Sequence, residues 1–314
     1  MIIDVHGHYH PRRFNAALEK MGINGRPMEP HPDTDDPEHI EKRLHLMDDA
    51  GVGMQVLSPA AGRAPYGADA ALALEASKIG NDIYAELVAK YPDKFKALVT
   101  LPLPHIQESL EEMRRGFDEL GFIGINMHIS AMNRSVAEDE FLPIYEELNR
   151  RNGIVFYHPC ANGIQSPMIN NYGLGAAVGT SLEDAAIGCH LIGKKVATKF
   201  PNITYIIPHL GGIIPMLLQR LDNQFSMKAR ELDEPPSVTA RKFYYDTVGH
   251  GSVAALTCAY LAFGAEHIVP GSDFPVLLSY ETYRETFSWI REAGLPGDAA
   301  EQILERTAPT ILKL

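Results

Sequence analysis

The feature that most constrains this chain is an eightfold alternation between short apolar runs and longer helix-patterned segments. The runs are Ile2–Val5, Met54–Ser58, Phe95–Thr100, Ile123–His128, Ile154–His158, Ile203–Ile207, Phe243–Thr247 and Ile268–Ser272. Most are apolar on both faces, the pattern of parallel strands buried between layers. Between them, helical periodicity predicts segments near 38–50, 68–90, 106–120, 138–151, 182–199, 213–227, 253–263 and 280–292, with a last helix over 298–312 capping the fold. Eight strand–helix units in 314 residues specify a closed (β/α)8 barrel of the TIM type better than an open, doubly wound α/β sheet. No GxGxxG links a strand to a helix, which argues against dinucleotide binding. Neither an internal repeat nor a linker divides the chain, so residues 1–314 are expected to form a single domain.

Charge and cysteine content remove several classes of function. A formal net charge of -12 disfavours nucleic acid and anionic membrane surfaces as partners. The three cysteines, Cys160, Cys189 and Cys258, are odd in number and far apart, which suits a reducing compartment. Cys160 follows His158 closely but has no paired base, so it reads as a small buried residue. No apolar run approaches a membrane span and no signal peptide precedes the first strand, so a cytoplasmic location is expected. The proline-rich run from Gly22 to Pro37 is long for a connection, as a lid or substrate-contacting loop would be.

Barrel enzymes assemble their sites at the carboxyl ends of the strands, so those positions can be compared directly. His6 and His8 end the first strand, with Gly7 keeping the backbone slim between them. His158 ends the fifth, His209 follows the sixth, and Asp273 follows the eighth. A lone histidine at a strand end is usually structural, and Asp273 before Phe-Pro could simply make a turn. Four histidines and an aspartate at one end of a closed barrel converge on its axis. His6, His8, His158 and Asp273 supply three nitrogens and one oxygen and leave room for a water, a ligand set suited to a divalent transition metal. His10 and His128 read as structural histidines and His190 as packing or exposed. His250 could reach the pocket, and Trp289 belongs to packing.

The pattern His6-x-His8, His158, His209 and Asp273 resembles the amidohydrolase superfamily. Within it, the chain is similar to the branch of aminocarboxymuconate-semialdehyde decarboxylase and related metal-dependent decarboxylases. The narrower likeness rests on Asp4-Val-His-Gly-His8 with Pro11, Tyr91-Pro-Asp-Lys-Phe95, Glu119-Leu-Gly-Phe-Ile-Gly124, Phe200-Pro-Asn-Ile203, His209-Leu-Gly-Gly with Pro215 and Arg220, and Gly271-Ser-Asp-Phe-Pro275. The resemblance implies one divalent metal on His6, His8, His158 and Asp273, Zn2+ first and Mn2+ second. It implies His209 as acid/base beside the metal and Arg220 holding a substrate carboxylate or bracing the site. An arginine can come from a neighbouring subunit in related enzymes, which implies a homodimer or higher homo-oligomer. Arg12 and Arg13, just past the metal motif, are further candidates for binding a carboxylate. Two-metal relatives carry a carboxylated lysine on strand four; none stands in Ile123–His128, so one metal is expected.

The expected activity is oxygen-independent decarboxylation of an aromatic or muconate-like carboxylic acid, with His209 or Asp273 moving a proton to the carbon that loses carbon dioxide. The competing expectation is a hydrolase or hydratase acting on an amide, lactone, C–C or C=C bond with the same residues. A non-catalytic binding barrel would instead need a closed coordination shell.

Overall fold

The computed structural model describes residues 1–24, 30–161, 164–225, 227 and 231–313. The eight expected strands are present, all parallel: β1 Ile2–His8, β2 Val52–Ser58, β3 Phe95–Thr100, β4 Gly124–His128, β5 Ile154–His158, β6 Thr204–Ile207, β7 Tyr244–Asp246 and β8 Ile268–Val269. They neighbour one another in chain order from β1 to β8. The last strand returns to the first: Val5 N donates to Pro270 O at 2.9 Å, His8 N donates to Phe274 O at 2.7 Å, and Gly7 and Phe274 form a parallel bridge. These bonds close the sheet into a (β/α)8 barrel.

Two apolar cores follow from strand alternation. Ile3, Val5, Val56, Leu98, Phe156 and Ile206 fill the interior, where Ala308, Ile311 and Leu312 of the final helix, Thr307–Leu312, join them as a plug. Outward residues such as Leu57, Val99, Ile125 and Val155 pack under the helical ring.

The helices, among them Pro37–Ala50 (α2), Ala70–Lys90 (α3), Ile106–Asp118 (α4) and Leu142–Arg150 (α5), carry local stop and start signals. Asp69 caps Ala70–Lys90 by accepting from the backbone N–H groups of Ala71 and Leu72. Pro37 opens Pro37–Ala50, and Gly51, at φ 71°, ends it in the left-handed region. The sequence reading assigns nothing to Arg12–Lys20, yet a helix forms there (α1), burying Phe14, Ala17 and Leu18 behind Pro11. Of the expected loop from Gly22 to Pro37, residues 25–29 lie outside the described residues, as do 226 and 228–230 near the end of the helix expected over 213–227. That helix is shorter, Ile214–Arg220 (α7), followed by a π-type turn over Leu221–Phe225. The helix expected over 182–199 is also divided: Thr180–Gly193 (α6) is separated from Val196–Lys199 by Lys195 at φ 55°. β8 is shorter than expected because Pro270 has no N–H and the chain turns there into the site.

Candidate metal centre and proton donor

Ile3 and Val5 face the barrel interior, so unbroken alternation would send His6 and His8 outward. A register irregularity between Asp4 and Gly7 resets the phase and brings both imidazoles to the carboxyl mouth. There they meet His158 from β5 and Asp273 from the loop after β8. Ligand-type atoms of these four residues all lie within 4.8 Å of one another. The Nε2 atoms of His6 and His158 are 3.1 and 3.2 Å from Nε2 of His8, and Asp273 Oδ1 is 2.9 Å from His8 Nε2 and 3.4 Å from His6 Nε2.

The other ring nitrogens explain why these atoms face one another. Nδ1 of His6 sits 2.6 Å from Asp246 Oδ2, Nδ1 of His8 3.2 Å from Ser58 O, and Nδ1 of His158 2.9 Å from Pro159 O. Each partner is an acceptor, so each Nδ1 carries the proton and each Nε2 presents a lone pair. Burial lowers the pKa of His8 and of His158, keeping both neutral. Lone pairs crowded in this way repel one another unless a cation lies between them. Four ligands about 2.0–2.1 Å from one centre stand about 3.3 Å apart, close to the 2.9–3.4 Å that separate His8 from its three neighbours and His6 from Asp273. The donor set therefore fits a single divalent transition metal.

His209 stands beside this cluster, its ring centroid 5.5 Å from that of His6 and 6.4 Å from that of His158. Residues 209 and 210 both adopt positive φ, 52° and 56°, a tight corner that turns the ring toward the mouth. Its backbone N–H donates to Asp246 Oδ1 at 2.8 Å, and its Nδ1 lies 2.8 Å from Oδ2 of the buried Asp184 on α6. Burial by itself would lower the His209 pKa. The carboxylates of Asp184, Asp246 and Asp273 outweigh it and hold the imidazole up at about 9. Burial in turn pushes Asp184 up to about 6, against the pull of His209. Asp273 takes the opposite sense: burial would raise it, but the imidazoles of His8, His6 and His209 around it hold it below the usual carboxylate range.

His209, His158 and Asp273 line a cavity of ≈ 870 Å³ whose wall is mainly small and apolar, with Ala60, Ala61, Ala161, Ala176 and Ala177 contributing. A volume of this order suits a small organic ligand. His250 also lines it, as the sequence anticipates. Arg220 and Arg13 do not. Arg220 is exposed at the carboxyl end of α7, and Arg13 is exposed in the first turn of α1. Arg12 is turned to Asp36. Among the described residues the lining guanidinium is instead Arg63, in the loop after β2, only 8% exposed.

The remaining histidines and the thiol have ordinary roles. His10 and His128 are buried and neutral, each lowered to about 3 by burial; His10 Nε2 accepts from Ala60 N–H at 3.1 Å, and His128 packs against His158. His190 is exposed and bonded to Ser135. Burial raises the Cys160 thiol, the opposite of an activated nucleophile. Sequence reasoning misses Asp246 and Asp184. Asp246 closes an otherwise apolar strand at the level where the ligands stand, a signal available from the strand-end comparison. Asp184 lies within a helix and carries no such mark.

A closed parallel barrel with metal-ligating side chains at its carboxyl mouth is the architecture of the metal-dependent barrel enzymes. The chain belongs to the amidohydrolase family, whose sequence pattern matches residues 3–314. It is 26% identical to 2-amino-3-carboxymuconate-6-semialdehyde decarboxylase of Dictyostelium discoideum over 95% of this chain and 90% of that protein. It is 25% identical to gamma-resorcylate decarboxylase of Rhodococcus jostii over 87% of each. A hydratase is similar as well: 2-keto-4-carboxy-3-hexenedioate hydratase of Sphingobium, 28% identical over 68% of this chain and 67% of that one. Among solved structures, a dihydroxybenzoic acid decarboxylase from Polaromonas with bound manganese and the inhibitor 2-nitroresorcinol superposes with a TM-score of 0.83, at 23% identity, covering all of this chain and 97% of the other.

Proposed function

We propose that this protein is a metal-dependent, oxygen-independent decarboxylase of an aromatic or muconate-like carboxylic acid. His6, His8, His158 and Asp273 hold one divalent ion, Zn2+ first and Mn2+ second, and residues 1–314 act as one catalytic domain. The decarboxylase relatives support the reaction class. The observation that favours it over hydrolysis is the place of His209, a partly buried imidazole backed by the carboxylate of Asp184 at 2.8 Å and standing at the edge of a largely apolar cavity, an arrangement that favours the proton-bearing form. Decarboxylation needs a proton delivered to carbon; hydrolysis needs a base to activate water.

When bound, the ion supplies positive charge that holds the substrate's oxygen atoms and stabilises negative charge developing on them. The protein does the rest. Its small apolar wall lets a planar acid lie flat and excludes water. His209 delivers the Nε2 proton to the ring or vinyl carbon bearing the carboxylate. The bond to the carboxylate then breaks, carbon dioxide leaves, and the electron pair restores the unsaturated system. Asp273, held ionised, accepts rather than donates, so the proton is assigned to His209. Asp184 and Asp246 fix the ring's position.

Arg220, which does not line its own cavity, serves substrate binding in this reading only by reaching a neighbouring subunit's mouth in a homodimer. The free cysteines agree with a cytoplasmic setting.

The test is incubation of the metal-loaded enzyme with 2,6-dihydroxybenzoate and with aminocarboxymuconate-type acids in heavy water under argon. Carbon dioxide should be released and one deuterium should appear on the vacated carbon. Water addition with the carboxylate intact would point to the hydratase reading, which the Sphingobium relative favours.

A further inference from the structure

A second set of buried polar groups lies beneath the cluster, on the outer face of β1, and makes no contact with the cavity. At its centre is Asp4, which is fully buried and accepts five hydrogen bonds: from the N–H of His6 at 3.0 Å, the N–H and Oγ–H of Ser272 at 3.1 and 2.6 Å, the hydroxyl of Tyr283 at 2.6 Å, and Gln55 Nε2 at 3.0 Å. Gln55 Oε1 accepts from Arg43 Nη1 at 2.9 Å. Arg43, also fully buried, donates through Nη2 to the carbonyl of His8 and lies 4.5 Å above the ring of Phe274.

Every link ends beside a residue of the cluster. Asp4 holds the backbone of His6, Arg43 holds that of His8, and Ser272 and Phe274 flank Asp273. Asp273 needs such support because its φ is 61°, in the left-handed region that a non-glycine residue leaves readily unless held. Ser272 Oγ accepts from Phe274 N–H at 2.9 Å, and Phe274 O accepts from His8 N–H at 2.7 Å, so the corner is tied on both sides of Asp273. The tie also explains Gly7. A Cβ there would lie 2.5 Å from Gln55 Cγ and Cδ, displacing the amide that joins Asp4 to Arg43. His158 receives none of these bonds.

We infer that Asp4, Gln55, Arg43 and Tyr283 are positioning residues that set metal affinity, by locking the β1 ligands against the Asp273 corner. The inference rests on the metal reading above. Outer partners of this kind typically alter affinity 10–100-fold.

Tyr283→Phe removes one hydroxyl and little volume, and Gly7→Ala crowds Gln55 without touching a ligand side chain. A matched control is Tyr145→Phe, which deletes a buried hydroxyl 3.0 Å from Tyr157, away from the tie. Metal-free wild type and variants are titrated with Zn2+ against a chromogenic chelator, with melting temperatures recorded for the metal-free forms. Tyr283→Phe and Gly7→Ala should raise the Zn2+ dissociation constant 10–100-fold, and Tyr145→Phe should leave it unchanged at a comparable loss in melting temperature. Wild-type affinity in both tie variants, or equal weakening in the control, overturns the inference. A wild type that takes up neither Zn2+ nor Mn2+ overturns the metal reading itself, and the inference with it.

Discussion

At the scale of single residues, the proposed function gives metal binding to four side chains and proton transfer to His209, and two variants tell these roles apart. His158→Ala removes one of four convergent atoms and should leave purified protein with little of the roughly one metal per chain expected of wild type, read by elemental analysis. His209→Asn should keep that metal while turnover falls about 10²-fold or more, the usual scale for losing a general acid. A metal-free His209→Asn protein would make His209 a ligand. The pH profile gives a second handle. In the proposed mechanism activity requires the His209 proton, so it should be lost as pH rises through the imidazole's pKa. Asp184 is the strongest of the influences raising that pKa, so Asp184→Asn should move the alkaline limb down by about 1–3 pH units. An unmoved limb would show that another group governs it. Which residues meet was legible from strand ends alone, because His6, His8, His158 and Asp273 all occupy the level where a barrel converges. Asp184 was not legible, since a helix residue declares its direction only through packing. That Arg220 and Arg13 lie outside the lining of this chain's own cavity was not legible for the same reason: charge and proximity in sequence say nothing about which way a helix carries a side chain.

At the scale of elements, the strands were the legible part, because burial on both faces leaves an uninterrupted apolar run. The helices were less so. α1 combines charged ends with only a narrow apolar stripe, and the expected helices over 182–199 and 213–227 are interrupted where lysine or π-type geometry breaks the periodicity. The β1 irregularity was invisible, since strict alternation reads smoothly through it. The strand pairing offers its own test at Gly124, where a Cβ would fall 2.4 Å from the backbone oxygen of Ile154. Backbone in the middle of a sheet yields little, so Gly124→Ala should destabilise the protein by about 1–3 kcal/mol, the usual cost of overpacking, measured by denaturant unfolding. An unchanged midpoint would mean that β4 and β5 separate more easily than their ladder implies.

At the scale of the whole molecule, the proposed ligands come from the first strand, the fifth strand and the loop after the eighth, so a metal bound to all of them would crosslink the closed barrel. A ligand that binds only the folded state stabilises it by mass action, about 2.7 kcal/mol at one hundred times its dissociation constant. Adding Zn2+ or Mn2+ to metal-free protein should therefore raise the melting temperature, and a chelator should reverse the gain; a melting curve indifferent to both would contradict the site. The seam where β8 meets β1 carries a further meaning in time. His8 and Asp273 touch across 265 positions of sequence, so a ribosome making this chain releases the first pair of histidines long before the carboxylate that completes their set exists. Until then the growing polypeptide holds only part of the proposed ligand set. If the proposed site holds the metal, the choice of ion falls to the finished barrel, whose geometry is complete only after the last strand has joined the first.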